Sequence, residues 1–227
     1  MNNIKHIFFD LDHTLWDFDR NSKLAFKTLF EKYRITLYIE DFLEAYKPIN
    51  LRYWKLYREG KITQPALRRG RLQDTFTACQ YFVKAELIEQ LSEGYIKYLP
   101  KNNFLITGAA ELLSHLHPSY SLHIITNGFR EIQHKKLKGS KIEHYFTSIT
   151  NSEDAGVKKP NPKIFEYALH QAEATVEQSL MIGDNYEADI LGARDYGLQT
   201  LFFNYHQIEV SPVENTVSDL LLIKNQL

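Results

Sequence analysis

Two carboxylates, Asp10 and Asp12, flank a single leucine in the stretch Phe8-Phe9-Asp10-Leu11-Asp12-His13-Thr14-Leu15. Alternate side chains of an extended segment point the same way, so both acids face one side. Carboxylates this close repel each other unless a cation or a shared proton relieves them. A second acidic pair, Asp184 and Asp189, lies in Gly183-Asp184-Asn185-Tyr186-Glu187-Ala188-Asp189. Thr126-Asn127-Gly128 combines a hydroxyl, an amide and a glycine that frees backbone N–H groups, a set suited to an anionic oxygen. Lys159, in Gly156-Val157-Lys158-Lys159-Pro160-Asn161-Pro162, stands next to a proline just before a helical pattern, which restricts where its cation can be presented. Each cluster alone has a plainer reading: acids capping a turn, a strand-to-helix turn, a solvated basic loop, a helix cap. Together they suit an anionic oxygen group and its cation. Four converging negative charges would repel such a group, at about 4 kcal/mol per like pair at ~4 Å and an effective dielectric near 20. A hard divalent cation plus Lys159 removes that repulsion, and oxygen-only donors favour Mg²⁺ over zinc or copper.

The elements that must position these residues follow from hydrophobic patterning. Segment 4–11 is short, apolar and rich in Ile and Phe, as a buried strand should be. Similar runs occupy 122–127, 146–150, 179–183 and 199–203, with helical patterns over 108–117, 161–172 and 187–196. Strands alternating with helices predict an α/β fold, a doubly wound, mostly parallel, Rossmann-like sheet. Ligands of such sheets bind beyond the carboxyl ends of the strands, where Asp10, Thr126 and Asp184 fall. The stretch 17–100 breaks the rhythm. It has no convincing strand and reads as about four helices, including 40–58 with a break near Pro48, and 64–80 with Thr63 as N-cap. The expected organisation is a core of residues 1–16 and 101–227 with an inserted all-helical domain at 17–100.

Length and composition narrow the class. The 227 residues are 44% hydrophobic and 24% charged, an ordinary globular mix. With 27 Lys+Arg against 28 Asp+Glu, there is no bulk electrostatic reason to bind a nucleic acid polymer or an anionic membrane. The single cysteine, Cys79, can form neither an intrachain disulfide nor a thiolate zinc cluster, and suits a reducing compartment. Asp10 and Asp12 interrupt any signal-peptide-like apolar region, and no run approaches the ~18 residues of a membrane span. A cytoplasmic protein is expected.

FFDLDHTLWD, IITNG, KKPNPKIF and GDNYEADI, in this order, resemble the four motifs of the haloacid dehalogenase superfamily of phosphotransferases. The resemblance implies roles residue by residue. Asp10 matches the nucleophile that becomes an aspartyl phosphate. Asp12 matches the general acid and base. Thr126 matches the hydroxyl that holds a phosphoryl oxygen, helped by the main-chain N–H groups of Asn127 and Gly128. Lys159 matches the cation spanning nucleophile and phosphate. Asp184 matches a side-chain Mg²⁺ ligand, alongside the Asp10 carboxylate and the Asp12 main-chain carbonyl, and Asp189 the second acidic position of the metal site. The dehalogenase branch lacks a carboxylate at the Asp12 position and uses no metal, so Asp12 points to phosphate chemistry. His13 departs from the pattern, in which Gly or Asp often follows the second acid.

The 17–100 insertion is similar to the helical cap of one superfamily branch, which closes over the site and reads the leaving group. Trp16-Asp17-Phe18 and the Gly60–Leu72 run resemble a bacterial branch of pyrimidine 5′-nucleotidases. The implied substrate is a small phosphorylated metabolite, a nucleoside monophosphate first. Arg68 and Arg71, at i and i+3 on one helix face, are the candidate substrate contacts in the insertion; the alternative is a solvated basic helix. A sugar-phosphate phosphatase or mutase and a pyrophosphatase remain open on the same scaffold. A signalling receiver domain would share the acidic pocket and lysine, but leaves the insertion and Asp12 unexplained. Oligomeric state is not legible.

Overall fold

The computed structural model describes residues 3–210 and 215–227. The chain divides into two compact units, Met1–Phe18 with Asn103–Leu227, and Asp19–Asn102. The division falls two residues beyond each boundary expected from the sequence.

The first unit is built on a six-stranded sheet. Its strands are β1 (His6–Phe9), β2 (Ser121–Thr126), β3 (Phe146–Asn151), β4 (Ser179–Gly183), β5 (Gln199–Phe203) and β6 (Thr216–Val217). The order is β3-β2-β1-β4-β5-β6, and every pairing is parallel. The chain fills one side of β1 with β2 and β3, then crosses to β4, so the topological switch lies beside β1. Ile7, Phe8 and Phe9 on β1 and Leu180, Met181 and Ile182 on β4 are fully buried, which accounts for their unbroken apolar runs. The helices of this unit are α5 (Ala109–Leu116), α6 (Arg130–Gly139), α7 (Ser152–Ala155), α8 (Pro162–Ala172) and α9 (Gly192–Tyr196). The expected parallel α/β architecture is the one found. The helix expected at 187–196 is in two parts, a widened π-type turn at Tyr186–Leu191 followed by α9. Helix α6 was not anticipated from periodicity.

The second unit holds α2 (Ile39–Arg58), α3 (Gln64–Ala78), α4 (Ala85–Tyr98) and most of α1 (Phe18–Tyr33). An aromatic cluster fills its interior: Phe26 lies 4.8 Å from Phe42, 4.8 Å from Tyr46 and 4.5 Å from Tyr95, ring centre to ring centre. Thr63 caps α3, its side chain accepting from the Ala66 N–H. The break expected near Pro48 is absent, and α2 runs through it. Phe42, Tyr46 and Asn50 share the buried face at i, i+4 and i+8, while Pro48 is exposed, so packing on one side holds the two halves in line.

Candidate active site

Asp10 follows the last residue of β1, and its N–H donates to the Ile182 carbonyl, continuing the ladder with β4 by one step. That bond fixes the carboxylate at the carboxyl edge of the sheet, with 9% of the residue exposed. Lys159 reaches it from the loop before α8. Its Nζ lies 2.6 Å from Asp10 Oδ1, 2.7 Å from Asp189 Oδ1, and 2.6 Å from the Ile125 carbonyl. Lys159 is itself only 1% exposed. Burial works against its charge, but Asp10 and Asp189 outweigh that and raise its pKa. The peptide bond between Lys159 and Pro160 is cis.

Three of the four acids expected to converge come together, without the Asp12 carboxylate. Asp10, Asp184 and Asp189 each offer one carboxylate oxygen within 4.8 Å of the others. Asp184 is held by the Thr14 hydroxyl, which donates to Oδ1 at 3.0 Å. Asp189 accepts from the Asn185 N–H at 3.0 Å, and a β-carbon on Gly183 would collide with the same carboxylate, so only glycine fits there. Burial first, with repulsion from Asp189 and Asp184 adding to it against the pull of Lys159, pushes the Asp10 carboxyl up to about 8. Burial also raises Asp189. One lysine does not balance three buried acids, and three convergent hard oxygen donors fit a divalent cation such as Mg²⁺.

Asp12 is tethered separately. Lys136 of α6 places Nζ 2.6 Å from Oδ1 and 2.8 Å from Oδ2, and the Gln133 amide donates to Oδ2 at 3.1 Å. The Lys136 side chain is buried, its ammonium 4.4 Å above the Trp16 ring and 5.6 Å from Phe18. Gln133 also donates to Thr126 Oγ1 at 2.7 Å, linking the hydroxyl of β2 to the acid after β1. A β-carbon on Gly128 would collide with the Gln133 amide, so this glycine makes room for the link. Lys136 and Gln133 were missed from sequence. Their signal is the i, i+3 spacing just after Thr126-Asn127-Gly128, hidden in a lysine-rich segment that reads as a solvated face.

The remaining sequence candidates are placed as follows. The Asn127 side chain clasps the lysine's backbone, accepting from the Lys159 N–H at 2.8 Å and donating to its carbonyl at 3.0 Å. The Gly128 N–H donates to Thr126 Oγ1 at 3.1 Å. Arg68 is half-buried in the helical unit. Arg71 is buried there, donating to Asn50 Oδ1 at 2.8 Å with its guanidinium 5.0 Å from the Tyr95 ring. It is therefore a bundle-interior cation rather than part of a solvated face. His13 has φ of +62°, a left-handed conformation that costs roughly 1–2 kcal/mol for a residue with a β-carbon. Glycine adopts the same backbone without that cost.

The chain is 36% identical over 206 residues to the pyrimidine 5′-nucleotidase YjjG of Escherichia coli, covering 89% of this chain and 87% of that one. It is 32% identical over 210 residues to a glyceraldehyde 3-phosphate phosphatase of Pyrococcus abyssi, covering 89% and 82%. The crystal structure of the HAD-hydrolase YfnB of Bacillus subtilis, bound to magnesium, superposes with a TM-score of 0.90 at 30% identity over 99% of both chains. Residues 7–203, from the first residues of β1 to the end of β5, match the haloacid dehalogenase-like hydrolase family, and the chain belongs to it.

Proposed function

We propose that the protein is a Mg²⁺-dependent phosphomonoester hydrolase that works through a phosphorylated Asp10, with nucleoside 5′-monophosphates as its substrate class. The observation that carries this reading is the buried Lys159 ammonium, 2.6 Å from Asp10 and 2.7 Å from Asp189, beside a third acid, Asp184. Phosphoryl transfer needs charge neutralisation and alignment more than it needs covalent partners. Mg²⁺, when bound, supplies positive charge to the phosphate and acidic oxygens; Asp10, Asp184, the Asp12 carbonyl and Asp189 would hold it.

The steps belong to the chain's own residues. The Asp10 carboxylate attacks phosphorus, and the bond to the leaving oxygen breaks. Asp12 gives that oxygen a proton. Water then attacks the phosphorus of the acyl phosphate, losing its proton to Asp12, and inorganic phosphate departs with Asp10 restored. Thr126, with the main-chain N–H groups of Asn127 and Gly128, holds phosphoryl oxygens, while Lys159 steadies the nucleophile. Proton transfer of this kind contributes typically 10²–10⁴-fold. Arg68 is assigned to substrate selection by the helical unit, whereas Arg71, expected beside it, is held in the bundle interior by Asn50 and does not face a substrate; the setting is the reducing cytoplasm.

The nucleotide preference draws on the likeness to the E. coli pyrimidine 5′-nucleotidase. The likeness to a glyceraldehyde 3-phosphate phosphatase favours small sugar phosphates as the second reading. A panel of phosphate esters with Mg²⁺ separates them. The expected ranking by kcat/KM places pyrimidine monophosphates first, with turnover abolished by chelator and by Asp10→Asn. Sugar phosphates ranking at or above nucleotides would replace the nucleotide assignment. Full turnover in Asp10→Asn would remove the nucleophile.

A further inference from the structure

A second group of donors adjoins the three acids. His13, Asp184 and His206 each offer one ligand atom, and all of these lie within 4.8 Å of one another. His206 follows β5 and His13 follows β1, so residues far apart in sequence meet at the carboxyl edge of the sheet. His206 Nε2 is 3.3 Å from Asp184 Oδ2. The two imidazoles cross edge to face at 4.8 Å, and Tyr205 stacks against His13 at 5.4 Å. Asp184 is buried, His13 half-buried and His206 exposed, an arrangement with a protected anchor and an open entry.

We propose that His13, Asp184 and His206 form a binding site for a borderline-soft divalent cation of the Zn²⁺ class, distinct from the all-oxygen Mg²⁺ position and sharing Asp184 with it. Two imidazoles and one carboxylate suit Zn²⁺, whereas Mg²⁺ prefers oxygen alone. Ligands at about 2.0–2.2 Å in a tetrahedron stand roughly 3.3–3.6 Å apart. The His206–Asp184 edge, at 3.3 Å, already has that length. Three protein ligands leave a fourth position for water. Because Asp184 serves both positions, Zn²⁺ held here withdraws a carboxylate from Mg²⁺ and slows the Mg²⁺-dependent reaction. That last consequence rests on the proposed function; the binding itself does not.

The test is a Zn²⁺ titration of the full chain by calorimetry in 5 mM Mg²⁺, with ¹⁵N spectra of the histidine imidazoles followed in parallel. The expected result is one Zn²⁺ bound, with two imidazoles displaced at saturation. Those two signals are lost in turn in His13→Gln and His206→Gln, and each variant weakens Zn²⁺ at least tenfold. Wild-type affinity in both variants overturns the site. So do imidazole signals that stay still while Zn²⁺ saturates, which places the ion among the carboxylates alone. The wild-type spectra decide the matter even where a variant does not fold. Asp10→Asn keeps the two arms apart: it removes turnover if the phosphatase reading holds, and leaves the imidazole shifts in place.

Discussion

At the scale of single residues, the least expected finding is how Asp12 is held. A buried lysine grips both of its oxygens, and Gln133 ties one of them to Thr126. Proton transfer needs its carboxylate within hydrogen-bond reach of the leaving oxygen. Lys136 touches no reacting atom in this account and acts as a positioning residue. Lys136→Met keeps the length and the apolar contact with Trp16 but loses the grip. It is expected to lower kcat about 10²-fold, the cost of a misplacement near 1 Å, with KM changed less and with an altered pH–rate profile. A kcat within twofold of wild type and an unchanged profile would mean that Asp12 does not depend on Lys136. Asp10, Thr126 and Asp184 were legible because strand ends are where an α/β sheet places reactive groups. Lys136 was not, because a lysine among lysines carries no sign of burial. His206 was not, because its partners are 193 and 22 positions away.

At the scale of elements, α6 and α2 mark the limits of periodicity. In α6 the apolar positions Ile132 and Leu137 are too few to announce a buried face, and the burial of Gln133 and Lys136 comes from polar partners. In α2, proline was given its local meaning, a helix breaker, but tertiary packing of Phe42, Tyr46 and Asn50 overrides it. The cost of the proline remains. Pro48 has no N–H to give the preceding turn and sits on the exposed side. Pro48→Ala is therefore expected to stabilise the helical unit by about 1–3 kcal/mol, read from denaturant unfolding. Unchanged or reduced stability would show that α2 is not continuous through this position. Five of the six parallel strands, by contrast, were legible as short apolar runs bounded by turns, while the two-residue β6 carries no run to read.

At the scale of the whole molecule, the sheet carries a second polar feature within its strands rather than beyond their carboxyl ends. His123 is fully buried on β2, donating or accepting at 3.1 Å with His6 of β1 and at 2.8 Å with Ser148 of β3. Burial, and then the neighbouring His6, lower its pKa to about 4. The folded chain thus keeps this ring neutral where the unfolded chain takes up a proton, below about 6.5. Stability from this residue is complete above pH 6.5 and is lost as pH falls toward 4, by roughly 3 kcal/mol at most. His123→Gln, neutral at every pH, should flatten the acid limb of an unfolding-stability profile between pH 6.5 and 4. An unchanged slope would place the acid sensitivity elsewhere. The proposed hydrolysis turns on Asp10 carrying the transferred group. The most direct measurement is rapid acid quenching during turnover of a ³²P-labelled monophosphate with Mg²⁺, followed by peptide mapping. A transient, alkali-labile label is expected on Asp10, absent in Asp10→Asn. Label on another residue, or turnover that continues in Asp10→Asn, would contradict it.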